Sequence, residues 1–319
     1  MATRKMILDL DTGIDDAMAI AYAVAAPDVD LIGIVASYGN VLTPLAAQNS
    51  LKILELLGRL DVPVFLGELH ASTTDHFDVM PISAQIHGKN GIGEVALPTP
   101  KRQVEAKSGV DFLIEAAHQY RQDLIVVPTG PLTNLAKAIK IAPEIQDEIG
   151  QVTLMGGALT VPGNVSPVAE ANINQDPVAA DQVFESRLNL TMVGLDVTLR
   201  TLLTKKETQQ WRELDTVAGN KFADIVDYYI DVYKITSPHL HGCALHDPLA
   251  VGVTLDPSLV STLNLNMFVD TTKAMWGRTI GDPARLTEEA PNVSVALTVD
   301  QEKYLARFMQ YLTTLFKQN

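Results

Sequence analysis

The chain is poor in cysteine: 319 residues contain one, Cys243. A single thiol excludes an intrachain disulfide framework, and its apolar neighbours assign it to packing rather than to nucleophilic catalysis. Basic residues are also scarce, 24 against 38 acidic ones, which leaves a formal net charge of −14. That balance argues against nucleic acid or an anionic membrane as a partner, because both need basic patches. No apolar run is long enough to span a bilayer, and Met1 to Lys5 pass straight into a strand-like segment without a signal-peptide core. A cytoplasmic protein is expected. Linker composition, low complexity and internal repeats are missing too, so one domain over residues 1–319 is expected. Hydrophobic residues make up 47% of the chain, enough for a large core.

What the chain does have is an acidic opening, Ile7-Leu8-Asp9-Leu10-Asp11-Thr12-Gly13-Ile14-Asp15-Asp16, with four carboxylates in eight residues. Lys5 to Leu8 read as a buried strand. Ile14, Met18, Ala21 and Val24 share one face of a helix that follows. The acids therefore gather where a first strand ends and a helix begins, the edge at which open α/β sheets bind ligands. Carboxylates this close repel one another and call for a proton or a cation between them. A hard divalent cation with oxygen ligands answers that need. Asp15 and Asp16 could instead simply complement the helix dipole. Asp9, further back on the strand, is the weakest ligand candidate of the four and could only hydrogen-bond nearby backbone.

Short apolar runs alternate with amphipathic ones, which predicts an α/β fold: an open, mostly parallel central sheet flanked by helices. Strands are predicted at Lys5–Leu10, Asp30–Ser37, Val62–Leu66, Leu124–Pro128, Gln151–Met155 and Asn189–Leu195. Leu263–Val269 and Val293–Val299 read as late strands, antiparallel at an edge. Helices are predicted at Asp15–Ala26, Leu45–Gly58, Val110–Gln119, Leu132–Ile141, Pro177–Glu185 and Lys205–Glu213. Later ones run from Gly219 to about Ile235, from Pro248 onward, and over Gln301–Lys317. Gly67 to Lys107 and Gly156 to Asn174 fit no regular pattern; the first is long enough to be a lid.

Polar residues recur just past the strand ends: Gly39-Asn40, Pro128-Thr129-Gly130, Met155-Gly156-Gly157, Gly163-Asn164, Ala169-Glu170-Ala171-Asn172 and His246-Asp247-Pro248. In a parallel sheet these segments share one crevice. Taken singly, each is weak. Thr129 and Asn134 could be caps, Asp247-Pro248 is also a helix start, and Asp176-Pro177 reads as one.

Taken together and in this order, with His87-Gly88 and Thr133-Asn134, these motifs resemble the inosine–uridine-preferring nucleoside hydrolases over nearly the whole chain. Thr12 stands where that family commonly has proline, in a turn without a ligand role. The resemblance implies a Rossmann-like nucleoside hydrolase fold and Ca2+-dependent hydrolysis of the N-glycosidic bond of ribonucleosides. It implies Ca2+ held by the carboxylates of Asp11, Asp16 and Asp247 and the backbone carbonyl of Thr129. Asp15, Asn40 and Asn172 would bond the ribose 2′- and 3′-hydroxyls, Asn164 and Glu170 the 5′-hydroxyl, and Met155 would lie beside the sugar. Asp11 would activate water for attack at C1′ with inversion, and His246 would be the leaving-group acid or part of a relay to one. His87, Tyr229, Tyr233 and His239 are candidates for the nucleobase side, although tyrosines at helical spacing are as readily core. The partner expected is a small-molecule ribonucleoside, and the assembly a homodimer or homotetramer.

Alternatives remain at this level. Phosphatases of the haloacid dehalogenase type share a strand–Asp-x-Asp opening, but Gly13 occupies the position where that motif needs Thr or Val. A hydrolase of another N-riboside, such as nicotinamide riboside, would use the same ribose machinery. A non-catalytic Ca2+- and nucleoside-binding relative is opposed by the presence of base, ligands, ribose clamps and His246 together.

Overall fold

A computed structural model describes residues 3–288 and 291–319. Its main sheet holds nine strands in the order β10-β13-β7-β6-β5-β1-β2-β3-β4. In chain order these are β1 (Arg4–Leu10), β2 (Val29–Ala36), β3 (Val64–Leu66), β4 (Glu105–Ser108), β5 (Leu124–Pro128), β6 (Gln151–Met155), β7 (Leu190–Val193), β10 (Val260–Leu265) and β13 (Val293–Val299). Two small antiparallel pairs complete the set, β8 (Leu202–Leu203) with β9 (Cys243–Ala244) and β11 (Met267–Asp270) with β12 (Arg278–Gly281). All pairings in the main sheet are parallel except β10 with β13.

The inner strands are apolar on both faces because both faces are covered. Their side chains alternate between two cores. Met6, Leu8 and Leu10 of β1 and Ile125 and Val127 of β5 point into one core; Ile7, Leu124 and Val126 point into the other. The first core lies under helices α1 (Ile14–Ala25), α2 (Thr43–Leu56), α11 (Val217–Thr236), α12 (His246–Leu255) and α13 (Gln301–Phe316). Its aromatic centre includes Tyr22, Trp211, Phe222, Tyr304 and Phe308, all fully buried. The second lies under α4 (Gly109–Tyr120), α5 (Thr133–Ile141) and α8 (Pro177–Phe184). Asp176 caps α8 by accepting from the Ala179 N–H at 3.1 Å, as its Asp-Pro sequence predicts.

From β1 the chain moves outward through β2, β3 and β4, then returns to β5 on the other side of β1. The carboxyl ends of β1 and β5 therefore flank the point where strand order reverses, the usual ligand crevice of an open α/β sheet. Asp11 follows β1 and Thr129 follows β5. The Thr129 N–H donates to the Asp9 carbonyl at 2.8 Å, which holds the two strand ends together.

Four segments depart from expectation. Gly67 to Lys107 contains a helix, α3 (Pro81–His87), and the edge strand β4. Gly156 to Asn174 ends in the one-turn helix α7 (Ala171–Gln175). The single strand expected over Leu263–Val269 breaks at Asn266 into β10 and β11, which belong to different sheets; at the break the Asn266 side chain bonds Arg285 and Asn292. The antiparallel edge expected there is formed by β10 on β13. The stretch read as the end of the Asn189–Leu195 strand begins a short helix, α9 (Leu195–Thr198).

Candidate active site

The acidic turn is built by hydrogen bonds from backbone and amide donors. Gly13 N–H donates to Asp16 Oδ2 at 2.7 Å, and Thr129 Oγ1 donates to Asp16 Oδ1 at 2.8 Å. Asn40 donates its backbone N–H to Asp11 Oδ2 at 2.6 Å and its side-chain amide to Asp11 and Asp16 at 3.2 and 3.3 Å. That approach requires the preceding glycine: Gly39 has φ +151°, and a Cβ there would stand 2.0 Å from Asp11 Oδ2.

Asp15, Asp16 and Asp247 bring carboxylate oxygens within 4.8 Å of one another, and all three are buried. No lysine or arginine lines the cavity above them among the described residues. Burial first, and repulsion among the acids second, push Asp15 up to about 8 and hold Asp11 and Asp247 well above the ordinary carboxylate range. Burial raises Asp16 as well, against the donors that bond it. Asp15 Oδ1 is buried without a hydrogen-bond partner. An all-oxygen donor set with uncompensated charge and an orphaned oxygen suits a hard cation. The compact triad contains Asp15, which the sequence reading gives to ribose, in place of Asp11, whose oxygens turn to Asn40. Asp9 stands apart: its carboxylate accepts from the Asn134 side chain at 2.8 Å, rather than from nearby backbone, and it does not line the cavity.

Above the acids lies a cavity of about 340 Å³, within the size range of small-molecule sites. Its polar collar comes from the β5, β6 and α7 ends. Asn172 donates its amide to the carbonyls of Thr129 at 2.7 Å and Met155 at 3.2 Å. Glu170 caps α7; its carboxylate accepts from the N–H groups of Gly157, Asn172 and Ile173. Burial raises Glu170 nonetheless. Asn164 Oδ1 accepts from the Ala171 N–H at 2.9 Å, which brings that loop to the rim.

The far wall carries His87, Tyr229, Tyr233 and His246. His246 Nε2 is 2.8 Å from Tyr233 Oη, and its Nδ1 is 2.8 Å from Thr198 Oγ1. His87 Nδ1 accepts from the Ile14 N–H at 3.2 Å, so the proton of a neutral ring sits on Nε2. Burial lowers His87 to about 3 and His246 to about 4, which makes both rings neutral near pH 7. Tyr229 Oη donates to Asp15 Oδ2 at 3.5 Å.

The structure thus gathers Asp15, Asn40, His87, Thr129 and Met155 round one cavity. Asn164, Glu170, Asn172, Tyr229, Tyr233, His246 and Asp247 complete the sequence-predicted part of its lining. Asp11 and Asp16 are buried beside Asn40 and do not line it. His239 is exposed on a 3-10 turn, Pro238–Leu240, and is not brought to the cavity. Sequence reasoning missed Met80, Ile82, Ser83 and Ile86 of the α3 region, and Leu199 and Thr236, all of which line it. It also missed Thr198, the partner of His246. The only signal for the α3 group was its place in a long irregular segment.

A family profile described as "Inosine-uridine preferring nucleoside hydrolase" matches residues 6–306. A "Probable uridine nucleosidase 2" of Arabidopsis thaliana is 37% identical over 97% of this chain and 97% of its own length. A "Pyrimidine-specific ribonucleoside hydrolase" of an Enterobacter strain is 32% identical over 94% of this chain and 95% of its own. A solved structure, "Purine-Preferring Ribonucleoside Hydrolase from Gardnerella vaginalis", superposes with a TM-score of 0.98 at 54% identity, over 99% of this chain and 100% of that one.

Proposed function

The chain belongs to the inosine-uridine preferring nucleoside hydrolase family and is an enzyme, a ribonucleoside hydrolase; from that premise we propose that it cleaves the N-glycosidic bond of purine ribonucleosides with calcium as its cation. The observation that carries the cation is the buried Asp15, Asp16 and Asp247 triad with no lysine or arginine, among the described residues, lining the cavity above it. Asp16, Asp247 and Asp15, with the Thr129 carbonyl and Asp11 at the margin, would hold the ion. Calcium bound there supplies positive charge that neutralises the acids, orients the ribose diol and makes water a better nucleophile.

The chain's own groups account for the rest. Asp15, Asn40 and Asn172 grip the 2′- and 3′-hydroxyls from the cavity floor, and Asn164 and Glu170 bond the 5′-hydroxyl at the rim. Met155 packs beside the sugar. Asp11 takes the proton of the attacking water; the Asn40 donors on its carboxylate keep it aligned. Water enters at C1′ opposite the departing base, so the configuration inverts, and the acidic floor stabilises the positive charge that grows on the sugar. His246, joined to Tyr233, delivers a proton toward the leaving base. Both rings being neutral, the His246–Tyr233 pair acts through an N–H or O–H donor rather than through an imidazolium.

The purine preference rests on the 54% identical purine-preferring relative and on apolar side chains in the cavity lining, Ile82, Ile86 and Leu199, which would pack on the base. The single buried thiol fits a cytoplasmic enzyme, and a homodimer or homotetramer is the proposed assembly. Reducing-sugar release from inosine, adenosine, guanosine, uridine and cytidine tests the reading. The purine nucleosides should be cleaved with the higher kcat/KM; uridine or cytidine ahead of all three would reverse the preference.

A further inference from the structure

Asn49 of α2 is fully buried and has no place in the chemistry above, yet it bonds both sides of the site. Its Nδ2 donates to the Thr12 carbonyl, inside the acidic turn, at 3.3 Å, and to the Asn90 carbonyl, in the loop that follows His87, at 2.8 Å. Both neighbours are carbonyl oxygens, so only the NH2 end of the amide fits there. The cost is that Asn49 Oδ1 is buried without a partner.

The loop it holds is internally hydrogen-bonded. Asn90 Oδ1 accepts from the N–H groups of Ile92 and Glu94, and Gly93 N–H donates to the His87 carbonyl at 2.8 Å. Gly91 has φ +80°, and a Cβ on it would stand 2.8 Å from Asn49 Nδ2, so the backbone is pressed against the amide. On the other side, a Cβ on Gly13 would stand 2.6 Å from His87 Nδ1. The imidazole therefore rests on the acidic turn that Asn49 also grips.

We infer that Asn49 is a positioning residue: by clasping Asn90 to Thr12 it fixes His87 against the acidic turn in the orientation that presents its ring to the substrate. The inference rests on the reading of His87 as a nucleobase-side residue. A side chain displaced by about 1 Å from a productive pose can lose about 100-fold in rate, and truncating Asn49 removes both of the bonds that tie the Asn90 loop to the acidic turn, leaving His87 its bond from the Ile14 N–H.

The test is a double-mutant cycle on kcat/KM for inosine, using Asn49→Ala, His87→Ala and the pair, with circular dichroism, melting temperature and Ca2+ affinity followed throughout. Asn49→Ala is expected to lower kcat/KM about 10- to 100-fold with Ca2+ affinity unchanged. The pair should be no slower than His87→Ala alone. Gly91→Ala, whose Cβ would stand 2.8 Å from both Asn49 Nδ2 and Val41 Cγ1 and so displaces the loop with Asn49 itself unaltered, should behave likewise and replaces Asn49→Ala in the cycle if that variant fails to fold. Losses that multiply in the pair would overturn the inference, because a merely structural effect is independent of His87. So would a normal rate in Asn49→Ala where His87→Ala is impaired. A normal rate in His87→Ala would instead remove the reading of His87 itself, and the clasp with it.

Discussion

Stripping the cation should make stability fall as pH rises through neutrality. In the metal-free fold Asp15 titrates at about 8 against an ordinary 3.8, chiefly because of burial and then because of Asp16. A carboxylate raised in the folded state binds more protons folded than unfolded, so its stabilisation is complete below 3.8 and is lost as pH climbs to the folded value. The buried histidines run the other way. His87 and His246 sit at about 3 and about 4 when folded, against 6.5, so they favour the fold increasingly as pH rises to 6.5 and add no slope above it. Asp9, buried apart from the cation site and raised to about 7, adds a fall of its own below that value. The clean window is therefore pH 7 to 8, and at about 1.4 kcal/mol per pH unit per proton Asp15 alone removes about 1 kcal/mol across it. Asp11 and Asp247, also raised, steepen the fall. Urea denaturation of exhaustively chelated protein at several pH values across this window measures the slope, and saturating Ca2+ should abolish it. A flat or rising stability in the chelated protein, or an equal slope with Ca2+ present, would refute the idea that these acids need a cation.

Asp11→Asn should keep the fold and lose turnover by on the order of 1,000-fold or more, as expected of a group at the reacting atoms; steady-state kinetics within tenfold of the parent would remove it as base. Replacing His246 with alanine should slow inosine far more than p-nitrophenyl riboside, whose leaving group needs no proton. Equal losses on the two substrates would argue against its proposed role. A pocket that bonds the ribose diol should discriminate against 2′-deoxyinosine on the order of 10,000-fold in kcat/KM, checked by the same sugar-release assay; comparable rates would contradict the diol grip.

Much of the fold is written in apolar runs. β5 and β6 carry the predicted bounds because a parallel strand buried on both faces is a largely apolar segment. β4 was invisible for the opposite reason: Glu105-Ala106-Lys107-Ser108 lies at the sheet edge, largely exposed, and carries no hydrophobic signal. α3, Pro81–His87, is too short for a helical period to register. In the site, the acids were legible because four carboxylates in eight residues are chemically improbable without a purpose. Asn49 and Thr198 were not, since a buried amide or hydroxyl acquires its role only from the partner that folding brings to it. Ile82 and Ile86 look like any core residues until α3 is seen to form a wall of the cavity. His239, attractive as a histidine near the long helix, ends exposed because that helix stops at Thr236 and the chain turns outward at Pro238.

The most direct test is ribose release from inosine by protein freed of metal with a chelator and then titrated with Ca2+. Turnover should be negligible in the stripped enzyme and recover fully at one ion per chain, with the ribose first released in the inverted anomeric form. Full activity in stripped protein that retains no ion would contradict this.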